Sequence, residues 1–230
     1  MTFPRSCLLL AACAASTACA SGNTLRDYDF RNRTLSVVSD MPPRPEVLSR
    51  SYFMAGPSGD PLRDLLRVGA RVAREVEARA IEERLDSAAS LIDVGYVLED
   101  NTLERAARYL GADPIMEQRG GDYLLELIVI EYGIDAEAWD AQAEFFVEAD
   151  ATLLDSASGA EIWRADIEAR DPIGSVVVLG RSEIRDLITA AMLATLSVDE
   201  IVEVLESLAD YSARVITDRL RDDLRDARRR

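Results

Sequence analysis

The stretch from Asp122 to Glu168 constrains the fold more than any other. Tyr123 to Ile130 is almost continuously apolar. A strand written this way is expected at the centre of a sheet, covered on both faces. Ala143 to Leu154 instead alternates, with Phe145, Val147, Ala149, Ala151 and Leu153 on one side and Glu144, Glu148, Asp150 and Thr152 on the other. That is the period of a strand with one buried face. Asp155-Ser156-Ala157-Ser158-Gly159 reads as a hairpin loop, with a glycine free to take positive φ. Glu161 to Glu168 returns as a strand with Trp163, Ala165 and Ile167 inward. Three consecutive strands joined this way predict an antiparallel meander.

The flanking segments supply helices and one more strand. Thr34 to Ser39 reads as a strand ended by Met41-Pro42-Pro43-Arg44-Pro45, since proline donates no ladder hydrogen bond. Residues 46 to 59 read as an irregular crossing. Asp60-Pro61 opens a helix expected to run to about Leu85, by its apolar spacing. Asn101 with Glu104 fits a capping box for a short helix that Gly111 stops. Ser182 is read as the cap of a helix to about Thr195, and Ser197 with Glu200 as the box of a last one. Val198, Ile201, Val202, Leu205, Leu208, Ala209, Val215, Ile216 and Leu220 then form one apolar stripe. The expected fold is α/β (α+β): a mixed, mostly antiparallel sheet of about four strands covered by helices. One domain, residues 34–230, is expected.

The amino terminus reads as an export segment. Arg5 precedes an apolar run from Cys7 to Ala15 and small residues from Ala14 to Ala18. Such a segment is a secretory signal, too short to span a bilayer. Ser16-Thr17-Ala18-Cys19 resembles a lipobox, the tripeptide before a lipid-accepting cysteine. Residues 1–18 are thus expected to be removed, Cys19 to carry the lipid, and residues 19–33 to form a polar tether. Leu10-Ala11-Ala12-Cys13 fits the Leu-first pattern better but leaves a shorter apolar run after Arg5, so Cys19 is preferred. An ordinary signal peptide with incidental cysteines is the other alternative. The resemblance to bacterial lipoproteins implies sorting to the outer membrane, by a rule of some bacteria that applies when no Asp follows the cysteine, and Ala20 follows here. The expected location is therefore the periplasmic face of the outer membrane, with the membrane itself as a partner through the N-terminal lipid.

Residues 121–163 carry a family resemblance. Gly121-Asp122-Tyr123-Leu124-Leu125-Glu126-Leu127, Ala149-Asp150-Ala151-Thr152-Leu153-Leu154-Asp155 and Ser158-Gly159-Ala160-Glu161-Ile162-Trp163 together resemble periplasmic lipoproteins of the curli-secretion and penicillin-binding-protein-activator type. Auxiliary lipoproteins of lipid-transporting ABC systems look similar. The resemblance implies an α/β domain that binds and assembles in a cell-envelope complex, with an envelope protein as partner. The chain departs from the curli channel proteins in lacking the long extra strands that build a membrane barrel.

The chemistry available is narrow. There is no His, no Lys and no Cys beyond Cys19, so the common general base, Schiff-base amine and thiolate nucleophile are missing from the body. Ser175 and Ser182 have no base of the usual kind to activate them. Glu144, Glu148 and Asp150 could pair as acid and base or bind a cation, but read more simply as a solvated face. No enzyme, cofactor or metal site is expected. A carboxylate-dependent enzyme is the rival from another class, and a secretion ring, a symmetric homo-oligomer, is a further alternative. A formal charge of −16 disfavours nucleic acid as a partner.

Two features are candidate interfaces. Trp139, in an acidic loop, and Phe146, on the polar face of its strand, are either aromatic anchors or covered by helices. The last twelve residues hold six Arg, among them Arg228, Arg229 and Arg230, against three Asp. They read either as a helix end complementing its dipole or as a docking tail for a partner or for anionic headgroups.

Overall fold

In the computed structural model, described over residues 23–42, 45–49, 83–117, 120–136, 142–173, 192 and 195–229, six strands form one sheet. They are β1 (Thr34–Asp40), β2 (Glu46–Ser49), β3 (Asp113–Pro114), β4 (Tyr123–Ala136), β5 (Ala143–Asp155) and β6 (Glu161–Pro172). The order is β3-β1-β4-β5-β6, and β2 also pairs with β4. The four strands read from the sequence are all present, joined by two short ones.

The meander is as expected. β4 pairs antiparallel with β5, and β5 with β6. Leu125, Leu127 and Val129 of β4 share the buried face with Ala149, Ala151 and Leu153 of β5 and Trp163, Ala165 and Ile167 of β6. A bulge at Ile130 changes the phase of β4, so that Tyr132 and Ile134 resume the buried face. The bulge contributes one extra residue and moves the alternation from odd to even numbers. Gly159 takes φ 70° in the hairpin loop, where Asp155 accepts from the Ser158 amide and hydroxyl, both at 2.8 Å.

The outer face of β4 is only partly covered: Leu124 is buried there, at 7% exposure. Ile128 and Ile130 on the same side are each 51% exposed, and among the described residues the two long helices described below both pack on the opposite face. The proline-rich stretch also does less than expected. β1 runs parallel to β4 from Leu35↔Tyr123 to Asp40↔Ile128, and β2 resumes at Glu46↔Gly133. They are two pieces of one interrupted strand along a single edge of β4, so residues 46–49 are strand rather than irregular crossing.

Helix α1 spans Val94–Leu110 and helix α2 spans Val198–Arg229. α1 begins seven residues before Asn101, because the Asp93 carboxylate accepts from the Tyr96 amide at 3.0 Å and caps it there. Asn101 is interior, and Glu104 pairs with Arg108 instead of closing a box. Gly111 ends α1 at φ 77°, its amide donating to the Ala107 carbonyl at 2.8 Å. The Ser197–Glu200 box is present: the Ser197 amide donates to Glu200 Oε2 at 2.7 Å, and the Glu200 amide to Ser197 Oγ at 3.3 Å. Helical residues 83–89 extend past Leu85, while the rest of that helix and the one expected after Ser182 lie outside the described residues.

Residues 24–33 are not tether. The Thr24 amide and hydroxyl both donate to the Ile162 carbonyl, at 2.9 and 3.1 Å, and Leu25 and Phe30 are each 1% exposed in the core. Two apolar side chains in a short polar segment were enough to dock it, since each buried side chain contributes about 1.5–3 kcal/mol.

Burial also sets a pH limit. Tyr132 and Tyr211 lie in the core, and desolvation pushes each phenol up to about 12. Asp171 adds to the effect at Tyr211, and the Arg214 guanidinium above its ring opposes it. A phenol raised above its unfolded value of about 10 contributes stability that is complete below pH 10 and lost as pH rises towards 12. Alkaline titration should therefore show tyrosinate absorbance for the buried pair appearing late and together with loss of helical circular dichroism. All seven tyrosines ionising near pH 10 with the fold intact would contradict this.

Candidate functional site

The residues where the tether joins the domain form a cleft of about 670 Å³. Tyr28 of its lining belongs to an aromatic cluster: Phe30 and Tyr123 meet edge to face at 4.8 Å, and Tyr28 lies 6.3 Å from Phe30 and 6.2 Å from Tyr123. Burial of Phe30 fixes this cluster and so holds the polar residues between its members at the surface.

Two helices end at the same place. α1 and α2 run in the same direction, with Arg105 bonded to Asp210 at 2.6 Å and the Tyr109 hydroxyl 3.4 Å from Asp218. Arg221 pairs with Asp218 at 2.8 Å and lies over the Tyr109 ring. Arg108 and Arg228 therefore arrive together in the last turns, where guanidinium groups complement the negative helix ends.

The entering segment adds Arg26, Asp27, Asp29 and Arg31. Arg31 holds Asp29 in a two-pronged pair, Nε–Oδ1 at 3.0 Å and Nη2–Oδ2 at 3.1 Å. These hydrogen bonds, with one from the Arg31 amide, keep the Asp29 carboxyl below its ordinary range. The Arg31 stem lies beside Gly111, the residue that ends α1. The lining thus carries four guanidinium groups and two carboxylates in a chain whose formal charge is −16. Such a lining suits a phosphate or carboxylate ligand, which guanidinium groups can bind through paired hydrogen bonds.

The sequence-based candidates scatter. Arg228 lines this cleft, and Arg229 beside it is exposed with Asp226 at 3.7 Å. Phe146 is on the outer face of β5 as the alternation predicts, but is 2% exposed, with the Arg170 guanidinium 5.4 Å above its ring. It is therefore not an exposed anchor. Arg170 is itself held by Asp135. Glu144, Glu148 and Asp150 share the outer face of β5, where Asp150 has Arg164 at 3.6 Å. Cys19, Trp139 and Arg230 lie outside the described residues. Arg26, Arg31 and Arg108 were not singled out from the sequence. Nothing local marks them, because the cleft joins three segments separated by about eighty to two hundred residues. Among the described residues no helix is long and apolar enough to cross a membrane.

No family model matches this chain, and no curated protein matches its sequence. Several solved structures are distantly similar. Protein XCC0632 of Xanthomonas campestris, of the DUF330 family, is 16% identical with a TM-score of 0.36, over 84% of this chain and 88% of that one. A PelC dodecamer from Paraburkholderia phytofirmans is 16% identical with a TM-score of 0.32, over 54% of this chain and 73% of that one. Lipoprotein GNA1162 from Neisseria meningitidis is 20% identical with a TM-score of 0.23, over 61% and 83%. Likeness at this distance transfers no function to this chain.

Proposed function

We propose that this chain is a bacterial envelope lipoprotein, anchored by lipid on Cys19 to the periplasmic face of the outer membrane, whose domain binds and assembles without chemistry of its own. One observation carries the reading. The fold takes hold of the chain at Thr24, so only Ala20 to Asn23 separate the domain from the lipid-accepting cysteine. Five Cα steps span at most about 17 Å, which keeps the domain beside the membrane and suits a partner found there. The lead is too short for the domain to range far into the periplasm. Several acyl chains at roughly 0.8 kcal/mol per buried methylene hold such an anchor, where one chain would not.

The test is affinity capture of the full-length protein from its own envelope after mild crosslinking, beside a Cys19→Ala copy. Wild type is expected in the membrane fraction with a defined set of envelope proteins. The variant is expected to lose both. A wild-type protein recovered soluble, or turnover by the purified protein, overturns the proposal.

A second reading is favoured by the cleft itself. Arginine and tyrosine side chains at its lining are what a phospholipid headgroup would meet, as an auxiliary subunit of a lipid-transport ABC system would need. Capture of transporter components supports it, and capture of an envelope set without them counts against it.

A further inference from the structure

We infer that the tether-side cleft seats the headgroup of an anionic phospholipid from the membrane that holds the anchor, and so sets which end of the domain faces the bilayer. The inference rests on the lipid-anchor reading above. Its first support is position. The cleft is lined by Arg26, Tyr28 and Arg31, three to eight residues beyond the point where the tether ends. A lead of at most about 17 Å from Cys19 to Thr24, two residues before Arg26, keeps this rim within reach of the headgroup layer.

The second support is charge. Arg26, Arg31, Arg108 and Arg228 face two aspartates there, while the whole chain is at −16. An anionic leaflet therefore repels the body of the domain and attracts this end. Asp27 and Asp29 do not block the site. Their pairs with Arg26, at 3.3 Å, and Arg31, at 3.0 Å, involve side chains that are 60–78% exposed. Exposed pairs of this kind contribute little and can exchange for a phosphate. Arg228 is exposed on the last turn of α2.

The third support is the pair of half-buried tyrosines, Tyr28 and Tyr109, in the same lining. A ring with a polar tip is the side chain that membrane interfaces favour. The arginines alone could be explained as complements to two helix ends. That account gives no reason for Arg26 and Arg31, which belong to neither helix.

The experiment uses the mature lipoprotein, reconstituted through its own anchor into vesicles. One set is phosphatidylcholine alone, and the other contains phosphatidylglycerol at roughly one lipid in three. Both carry a trace of phospholipid with a photoreactive headgroup, zwitterionic or anionic. Labelled peptides are identified by mass spectrometry. The expected result is labelling by the anionic probe concentrated at residues 26–31, 105–111 and 222–229, and weakened by salt. Arg31→Gln with Arg228→Gln should lower that labelling by about five-fold for each arginine, with the melting temperature unchanged. Labelling spread over the domain, or indifferent to headgroup charge and to the double substitution, overturns the inference. The acyl mass on Cys19, measured on the same preparation, reports separately on the anchor. A protein without acyl chains overturns the anchor reading and this inference with it, whereas an acylated protein that ignores headgroup charge overturns only this one.

Discussion

Replacing Trp163 by Ala should lower the unfolding free energy by about 3–5 kcal/mol, the range for deleting a fully buried aromatic side chain. Trp163 is 0% exposed on the inner face of β6, where it pairs with Leu153 of β5. Its Nε1–H donates to Asp223 of α2 at 2.9 Å, so the indole both fills the space under the helix and bonds to it. Alanine would leave a large void that the sheet cannot close, since β5 and β6 are paired along their whole length. For a domain of this size the loss corresponds to a melting temperature lower by roughly 10 °C. Trp163→Phe separates the two contributions. It keeps most of the volume and loses the bond, and Asp223 retains Arg219 at 3.1 Å, so its cost should be well below that of alanine. Denaturant unfolding measures both. A loss under about 1 kcal/mol for alanine would mean that α2 does not rest on this side chain.

Gly121→Ala should be the second large effect, at roughly 3 kcal/mol, the upper end of the overpacking range. A Cβ at Gly121 would lie 2.7 Å from the Tyr123 carbonyl oxygen, 2.9 Å from the Ser36 amide nitrogen and 3.1 Å from the Thr34 carbonyl oxygen. All three are backbone atoms where the parallel pairing of β1 and β4 begins, so none can turn aside as a side chain would. Asp122 next to it reinforces the crossing, accepting from the Thr34 amide at 2.9 Å and the Thr34 hydroxyl at 3.0 Å. Gly159→Ala is the comparison. Nothing lies within 4 Å of its added Cβ, and only the left-handed φ of 70° opposes it. That should cost about 1–2 kcal/mol. Equal losses at the two glycines would mean that the close approach at Gly121 relaxes freely.

The candidate site was half legible. The cationic C-terminal turn stood out because its arginines are adjacent, and Arg228 does line the cleft. Arg26, Arg31 and Arg108 are single arginines in a chain with many, and only the packing of Phe30 and the parallel α1 and α2 brings them to Arg228. Phe146 went the other way. Its place on the outer face followed from period two, but it is buried, with Arg170, twenty-four residues away on β6, over its ring.

What the sequence by itself determined is the set of features that neighbouring residues decide among themselves. Alternation over β5 and β6 follows from a two-residue period, the hairpin from Asp155 to Gly159, the end of α1 from Gly111 and the start of α2 from Ser197 and Glu200. Each is settled within about five residues, where steric limits on φ and local hydrogen bonds act. What only the tertiary structure decided lies between residues far apart. The parallel pairing of β1 and β2 with β4 joins positions nearly ninety residues apart, and Thr24 docks on Ile162 across a separation of 138. Asp93 rather than Asn101 starts α1, and Glu99 of that helix binds the Ser39 amide of β1 at 2.6 Å. Such contacts have no local period to announce them. They exist because burying one shared apolar face brings those backbones together, and the basic cleft forms where their ends meet.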